Sequence, residues 1–204
     1  MQLETTPKRR GRPPAFDAEA ALQKAMVTFW THGYEGTSMS TLAEALGMNK
    51  ASIYAAFGSK EELFHKAVAR YVEGPASFVA DSLKEPNAAK VIEKFLITAA
   101  RALTDPAQPR GCMITLSSIV GSHESKHIKD ALSNMRAGLE QSFYQRFKAA
   151  RKEGDLSKKT DVAALAKLVV TVHQGMAIQA ASGATEEELL GVARLFIEQM
   201  QRKK

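Results

Sequence analysis

Apolar residues recur along the chain at steps of three and four, and no stretch sustains a two-residue alternation. That period lays side chains along one stripe of a helix, so the pattern predicts an all-α protein. Asp17 is a predicted cap for a first helix that carries Ala21, Leu22, Ala25, Met26 and Phe29 and ends at Gly33. Ser38 opens a short second helix with Leu42, Ala45 and Leu46 on its face, closed by Gly47. Lys50 to Phe57 makes a third, and Gly58 stops it. Ser59 and Glu62 have the spacing of a capping box for a fourth helix, built on Leu63, Phe64, Ala67, Val68 and Tyr71. Glu73-Gly74-Pro75 breaks that helix and marks a domain boundary near Gly74–Pro75.

Beyond the break the helices lengthen. Val91, Ile92, Phe95, Leu96 and Ala99 mark one, and Asp105–Gly111, with two prolines, is a loop. Cys112 to Val120 is a short apolar segment. Ile128, Leu132, Met135, Leu139, Phe143 and Phe147 form a stripe, and Lys152–Asp155 turns the chain. Val162 to Ala181 is so apolar that burial on more than one side is expected. Leu189, Val192, Ala193, Phe196, Ile197 and Met200 mark the last helix.

Two short helices joined by Gly47-Met48-Asn49 read as a helix-turn-helix. Leu42, Leu46, Ile53 and Phe57 would fill its small core, leaving Asn49, Lys50, Ala51, Ser52 and Tyr54 on the outer side. Small residues there let a helix sink into a major groove, and polar ones reach base edges and phosphates. Composition agrees without deciding. The 204 residues carry a net charge of +6 with pI about 9.4, which points to an anionic partner, nucleic acid first. Cys112 is the single cysteine, so no intrachain disulfide forms, as suits a reducing compartment. No unbroken apolar run is long enough to span a membrane.

The stretch Gly33–Phe64 resembles the DNA-binding region of the TetR family of bacterial transcriptional regulators. Gly33-Tyr34, Thr37, Gly47, Tyr54-Ala55-Ala56-Phe57 and Lys60-Glu61-Glu62-Leu63 stand at the family's positions. The resemblance implies an N-terminal three-helix helix-turn-helix domain followed by a larger helical ligand-binding and dimerisation domain. The expected divisions are a basic arm at 1–14, a DNA-binding head at 15–74, and an effector-binding and dimerisation body at 75–204. By position, Thr37 and Ser38 correspond to a helix start that faces a phosphate. Tyr54 and Lys60 correspond to backbone contacts, and Asn49, Lys50, Ala51 and Ser52 to the base-reading stretch. Ala56 departs from the pattern, because a His or Tyr there often supplies a further phosphate contact. Trp30, Gly33, Gly47 and Phe57 read as structural, while Tyr54 on pattern alone also fits a core aromatic.

The resemblance also implies an effector site. Phe78, Phe95, Cys112, Met113, Met135, Phe143 and Met176 would line it, or equally fill the core. Gln174, Ile178, Leu189, Val192, Phe196 and Met200 are the expected interface of a homodimer. The implied function is a cytoplasmic, non-enzymatic repressor without a cofactor, released from a palindromic operator on double-stranded DNA by a small-molecule effector.

Three further features compete for attention. The basic arm holds Lys8, Arg9, Arg10 and Arg12. Its Arg-Gly-Arg-Pro resembles an AT-hook, in which Arg10 and Arg12 would enter an A·T-rich minor groove; the alternative is a solvated tail near phosphates. His123-Glu124-Ser125-Lys126-His127 satisfies a zinc-hydrolase pattern, with Glu140 the one conceivable third ligand. Its wet flanks (Lys126, Lys129, Asp130) argue against a catalytic helix. Cys112 follows Arg110-Gly111 near a helix start, where a thiol pKa can fall, so redox or electrophile sensing stands beside simple packing. His173 reads as a satisfied core or interface histidine.

Overall fold

The computed structural model describes residues 17–119 and 125–201. Among them are ten helices and no strand: α1 Ala18–Gly36, α2 Met39–Leu46, α3 Lys50–Phe57, α4 Lys60–Glu73, α5 Phe78–Leu83, α6 Ala88–Thr104, α7 Met113–Ile119, α8 Lys126–Lys152, α9 Val162–Ala181 and α10 Glu186–Gln201. The fold is all-α, as the periodicity predicts.

α1 begins where Asp17 Oδ1 accepts the amides of Glu19 and Ala20, each at 3.0 Å. Its buried face runs through Ala21, Ala25, Met26, Phe29 and Trp30. Gly33 does not end the element but breaks its axis, with φ 70° and ψ 174°, before one more turn. A side chain there would be strained, so glycine suits the kink. α4 packs along α1 through aromatic edges. The Phe64 ring meets Phe29 and Tyr34 edge-on, each at 5.0 Å between centroids, and Trp30 meets Tyr71 at 4.8 Å. Arg70 holds the outside of this pair, with Nε donating to Gln23 Oε1 at 2.8 Å and the guanidinium paired with Glu19.

α6 is the spine of the body. Its stripe of Val91, Ile92, Phe95, Leu96, Ala99, Ala100 and Leu103 is buried under α5, α8, α9 and α10. Phe95 lies at the centre, 4.6 Å from Phe143, 5.0 Å from His173 and 5.9 Å from Phe78. α5, a short helix with no distinct stripe of its own, was not expected as an element.

Head and body meet on a packed seam. Gly74 caps α4 and α5 starts four residues later, while α7 lies against both α1 and α4. α9 has the predicted bounds, but one side stays open. Val162, Leu165, Ala166, Val169, Val170, Met176, Ala177 and Ala180 are buried against α6, α7 and α8, whereas Leu168 and Ile178 are exposed. It is long and apolar enough to cross a bilayer, yet its buried face makes it a core helix.

Candidate nucleic-acid interface and apolar cavity

Caps set the geometry of the head. Ser38 Oγ accepts the amide of Thr41 at 3.0 Å and starts α2. Gly47, at φ 68° and ψ 32°, takes the left-handed step that ends it, and Met48 N–H reaches back to Ala43 O at 3.0 Å. Asn49 Oδ1 then accepts Ser52 N–H at 2.8 Å and starts α3. The Ser59–Glu62 capping box is complete, with 3.1 Å and 2.7 Å bonds, and these bonds to Ser59 hold the Glu62 carboxyl below its ordinary pKa.

Leu42, Leu46, Ile53 and Phe57 are buried together, so α3 is fixed by one face. Its other face, Lys50, Ala51, Ser52, Tyr54, Ala55 and Ala56, is exposed. Tyr54 is 51% exposed and is no core aromatic. No acidic residue lies between Ala45 and Ser59. Exposed Ala56 offers no polar group.

Two expected contacts change character. Thr37 is fully buried: its hydroxyl donates to Gly33 O at 2.6 Å and its amide to Tyr34 O at 3.4 Å. Both donors are spent bracing the kink of α1, which leaves Ser38 as the exposed residue at that corner. Lys60 is half-buried, its Nζ 4.2 Å over the Tyr34 ring. Burial lowers its pKa and nearby Glu35 opposes that. It is a braced cation on the α4 end of the surface. Arg10 and Arg12 lie outside the described residues.

The body contains a cavity of about 220 Å³ between α4, α5, α7, α8 and α9. Of the residues proposed for an effector site, Phe78, Cys112 and Met135 line it. Phe95, Met113, Phe143 and Met176 do not; they are packed in the core, because a helix's apolar stripe does not reveal which of its residues face a void. Tyr71, Arg136, Leu139, His173 and Gln174 also line it, and none of them is among the expected effector residues.

His173 corrects a second expectation. It is buried, but its Nδ1 has no hydrogen-bond partner, and burial lowers its pKa to about 4. Arg136 Nε is likewise buried and unpaired. Cys112 does not lie under a free cation. The Arg110 guanidinium instead binds the Ala180 carbonyl at 2.8 Å and that of Ala184. The thiol hydrogen-bonds the Tyr71 hydroxyl, whose pKa burial raises well above the ordinary tyrosine value.

The zinc pattern falls partly beyond the described residues. His123 and Glu124 lie outside the described residues, among which no metal-ligand cluster occurs. Glu140 pairs with Lys167 at 2.8 Å, and His127 Nε2 lies 3.1 Å from Glu61 Oε2 on the head.

On the expected dimer face, Leu189 is buried against the body, and Phe196 and Met200 pack partly onto it. α10 needs those side chains to dock on α6. Gln174 turns to the cavity. Ile178 and Val192 are exposed, as are Leu168 and Leu195; Leu195 is 59% exposed.

A braced helix-turn-helix whose second helix is bare, mounted on an all-helical body, defines a helix-turn-helix regulator. Residues 21–67 match the model of the bacterial regulatory proteins of the tetR family, and residues 88–194 match the tetracyclin repressor-like C-terminal domain. The HTH-type transcriptional repressor ComR of Escherichia coli (strain K12) is 34% identical over 188 residues, covering 91% of this chain and 90% of ComR. A structure of the TetR family transcriptional regulator CifR, a cysteine mutant complexed with 26bp double-strand operator DNA, superposes with TM-score 0.87. It is 38% identical and covers 92% of this chain and 98% of that one. A putative TetR regulator from Rhodococcus sp. RHA1 is 40% identical over 88% of this chain and 97% of its own, with TM-score 0.61. The chain therefore belongs to the TetR family of bacterial transcriptional regulators.

Proposed function

We propose that the protein is a cytoplasmic repressor that grips a palindromic operator as a homodimer and is released when a small molecule fills the cavity. The bare outer face of α3 carries this reading. Lys50, Ser52 and Tyr54 project from a helix whose small residues, Ala51 and Ala55, permit close approach to a groove. Relatives described as repressors, and one solved on operator DNA, support the same assignment. In this reading the chain is no enzyme and needs no cofactor.

The dimer would form on the open face of α9 and α10, through Leu168, Ile178, Val192 and Leu195. Two heads then reach half-sites about one duplex turn apart. Two helices join cavity to head. α4 carries Tyr71 and Val72 at the cavity wall and Lys60 at its other end. α7 turns Ile114 and Thr115 to the cavity, and Leu116 and Ser117 to a cleft beside Trp30–Gly36. An effector shifts DNA binding only by its differential affinity for the two arrangements.

Selection from random duplexes tests the reading. The expected product is one palindrome with a discrete footprint and an affinity that falls steeply with salt. A footprint without boundaries would instead mark a sequence-blind binder. Deleting residues 1–12 and comparing A·T with G·C flanks tests the arm: a larger loss on A·T flanks places Arg10 and Arg12 in the minor groove.

A further inference from the structure

We propose that the cavity binds a small organic carboxylate, its head on the Arg136 guanidinium and the His173 imidazole, and its body against Phe78, Ile114, Met135 and Leu139. This rests on the cavity being the effector site and names the chemistry of the effector.

Two unpartnered polar atoms carry the inference. Buried nitrogens almost always have partners, and a buried donor without one is costly. Among the described residues four buried side-chain polar atoms lack a partner, and two of them, Arg136 Nε and His173 Nδ1, belong to residues lining this one cavity. His173 is buried, only 5% exposed. Arginine stays charged at any working pH and offers its edge to an oxygen acceptor. Among the described residues, no Asp or Glu lines the cavity to neutralise it.

A cationic ligand would be repelled, and a ligand without an acceptor would leave the buried Arg136 Nε donor unpaired. A carboxylate supplies acceptor oxygens and the charge, and a hydrogen bond between ions is stronger than one between neutral groups. The volume limits the rest. About 220 Å³ holds on the order of seven non-hydrogen atoms, at a water's share of about 30 Å³ each. The remaining wall is mainly apolar: Val72, Phe78, Val79, Ile114, Met135 and Leu139.

Titration calorimetry on the full chain compares hexanoate and benzoate with hexanamide and benzamide, which keep shape but lose charge. The acids should bind at least tenfold tighter than the amides. Arg136→Gln should abolish that preference while keeping the wild-type circular dichroism and unfolding midpoint. If Arg136→Gln does not fold, His173→Gln provides the same reading and should cut the preference severalfold. Amides that bind as tightly as acids, a preference that survives Arg136→Gln, or no binding by any of the four at millimolar concentration overturns the proposal. Leu139→Trp, which fills the cavity, separates the underlying reading. Loss of acid binding places the acids in the cavity. Acids that bind this variant unchanged refute the cavity as effector site, and the carboxylate proposal with it.

Discussion

The head and the body handle polar groups in opposite ways. In the head each helix start is capped by a side chain within reach, from Asp17, Ser38, Asn49 and Ser59, and even Thr37 spends both donors internally. In the body Arg136 Nε and His173 Nδ1 lack partners, and both residues line a void. The one orphan of the head, Trp30 Nε1, belongs to the residue that packs on Tyr71 at the seam. A part that must present one fixed surface is internally complete. A part that must respond leaves bonds for something else to make.

The sharpest way to break this contrast is to hollow out each side in turn. Phe64→Ala removes a ring wedged between Phe29 and Tyr34 and should cost about 3–5 kcal/mol in urea unfolding. Phe78→Ala, at a wall that already borders empty space, should cost less than half as much. Equal losses would mean that the cavity wall is as tightly packed as the head.

Acid comes next. His173 is neutral when folded, with a pKa of about 4 against 6.5 unfolded, so between those values the unfolded chain holds more protons. Stability is unaffected above pH 6.5 and falls as pH drops toward 4, by about 3 kcal/mol in all. His173→Gln should remove that part of the slope, read by comparing unfolding free energies of variant and wild type at pH 7 and pH 4.5.

Smaller effects sharpen the head. Asn49→Ala should cost about 1 kcal/mol through its lost cap, whereas Asn49→Ser restores the cap. Any change in operator preference that persists in the serine variant then belongs to base reading. Tyr54→Phe should weaken all duplexes alike, while Lys50→Ala should alter preference among them, as binding assays across sequences and salt would show. Smallest of all, Glu61→Gln loosens an exposed bridge from α4 to His127 and should leave global stability unchanged.

The head was legible because its rules are local. Caps, a glycine turn and short periodic runs act within four residues, and Ser38, Gly47 and the Ser59–Glu62 pair lie where those rules put them; Asn49, expected only as a base reader, also caps α3. Thr37 escaped because its acceptor is a carbonyl exposed by the kink at Gly33, and a kink leaves no periodic trace. The body was legible as helices but not as a site. Phe95 and Phe78 share one apolar class, yet the first fills the core and the second lines the cavity; only the packing of α5 against α6 separates them. Leu189 and Leu195 sit on one helix six residues apart, and which of them docks on α6 is a matter of rotation that a broad stripe does not fix. Arg136 and His173 stand 37 positions apart, and nothing in a linear pattern pairs them.

α4 has one more consequence. It is an unbroken helix of 14 residues, roughly 20 Å long. A push of about 1 Å on Tyr71 at one end, pivoting about the other, swings such a rod by roughly three degrees. In a two-fold assembly the swing counts once per protomer and changes the distance between the heads. The protein would thus act as a caliper, with the size of an occupant in the body setting the gap between two reading tips.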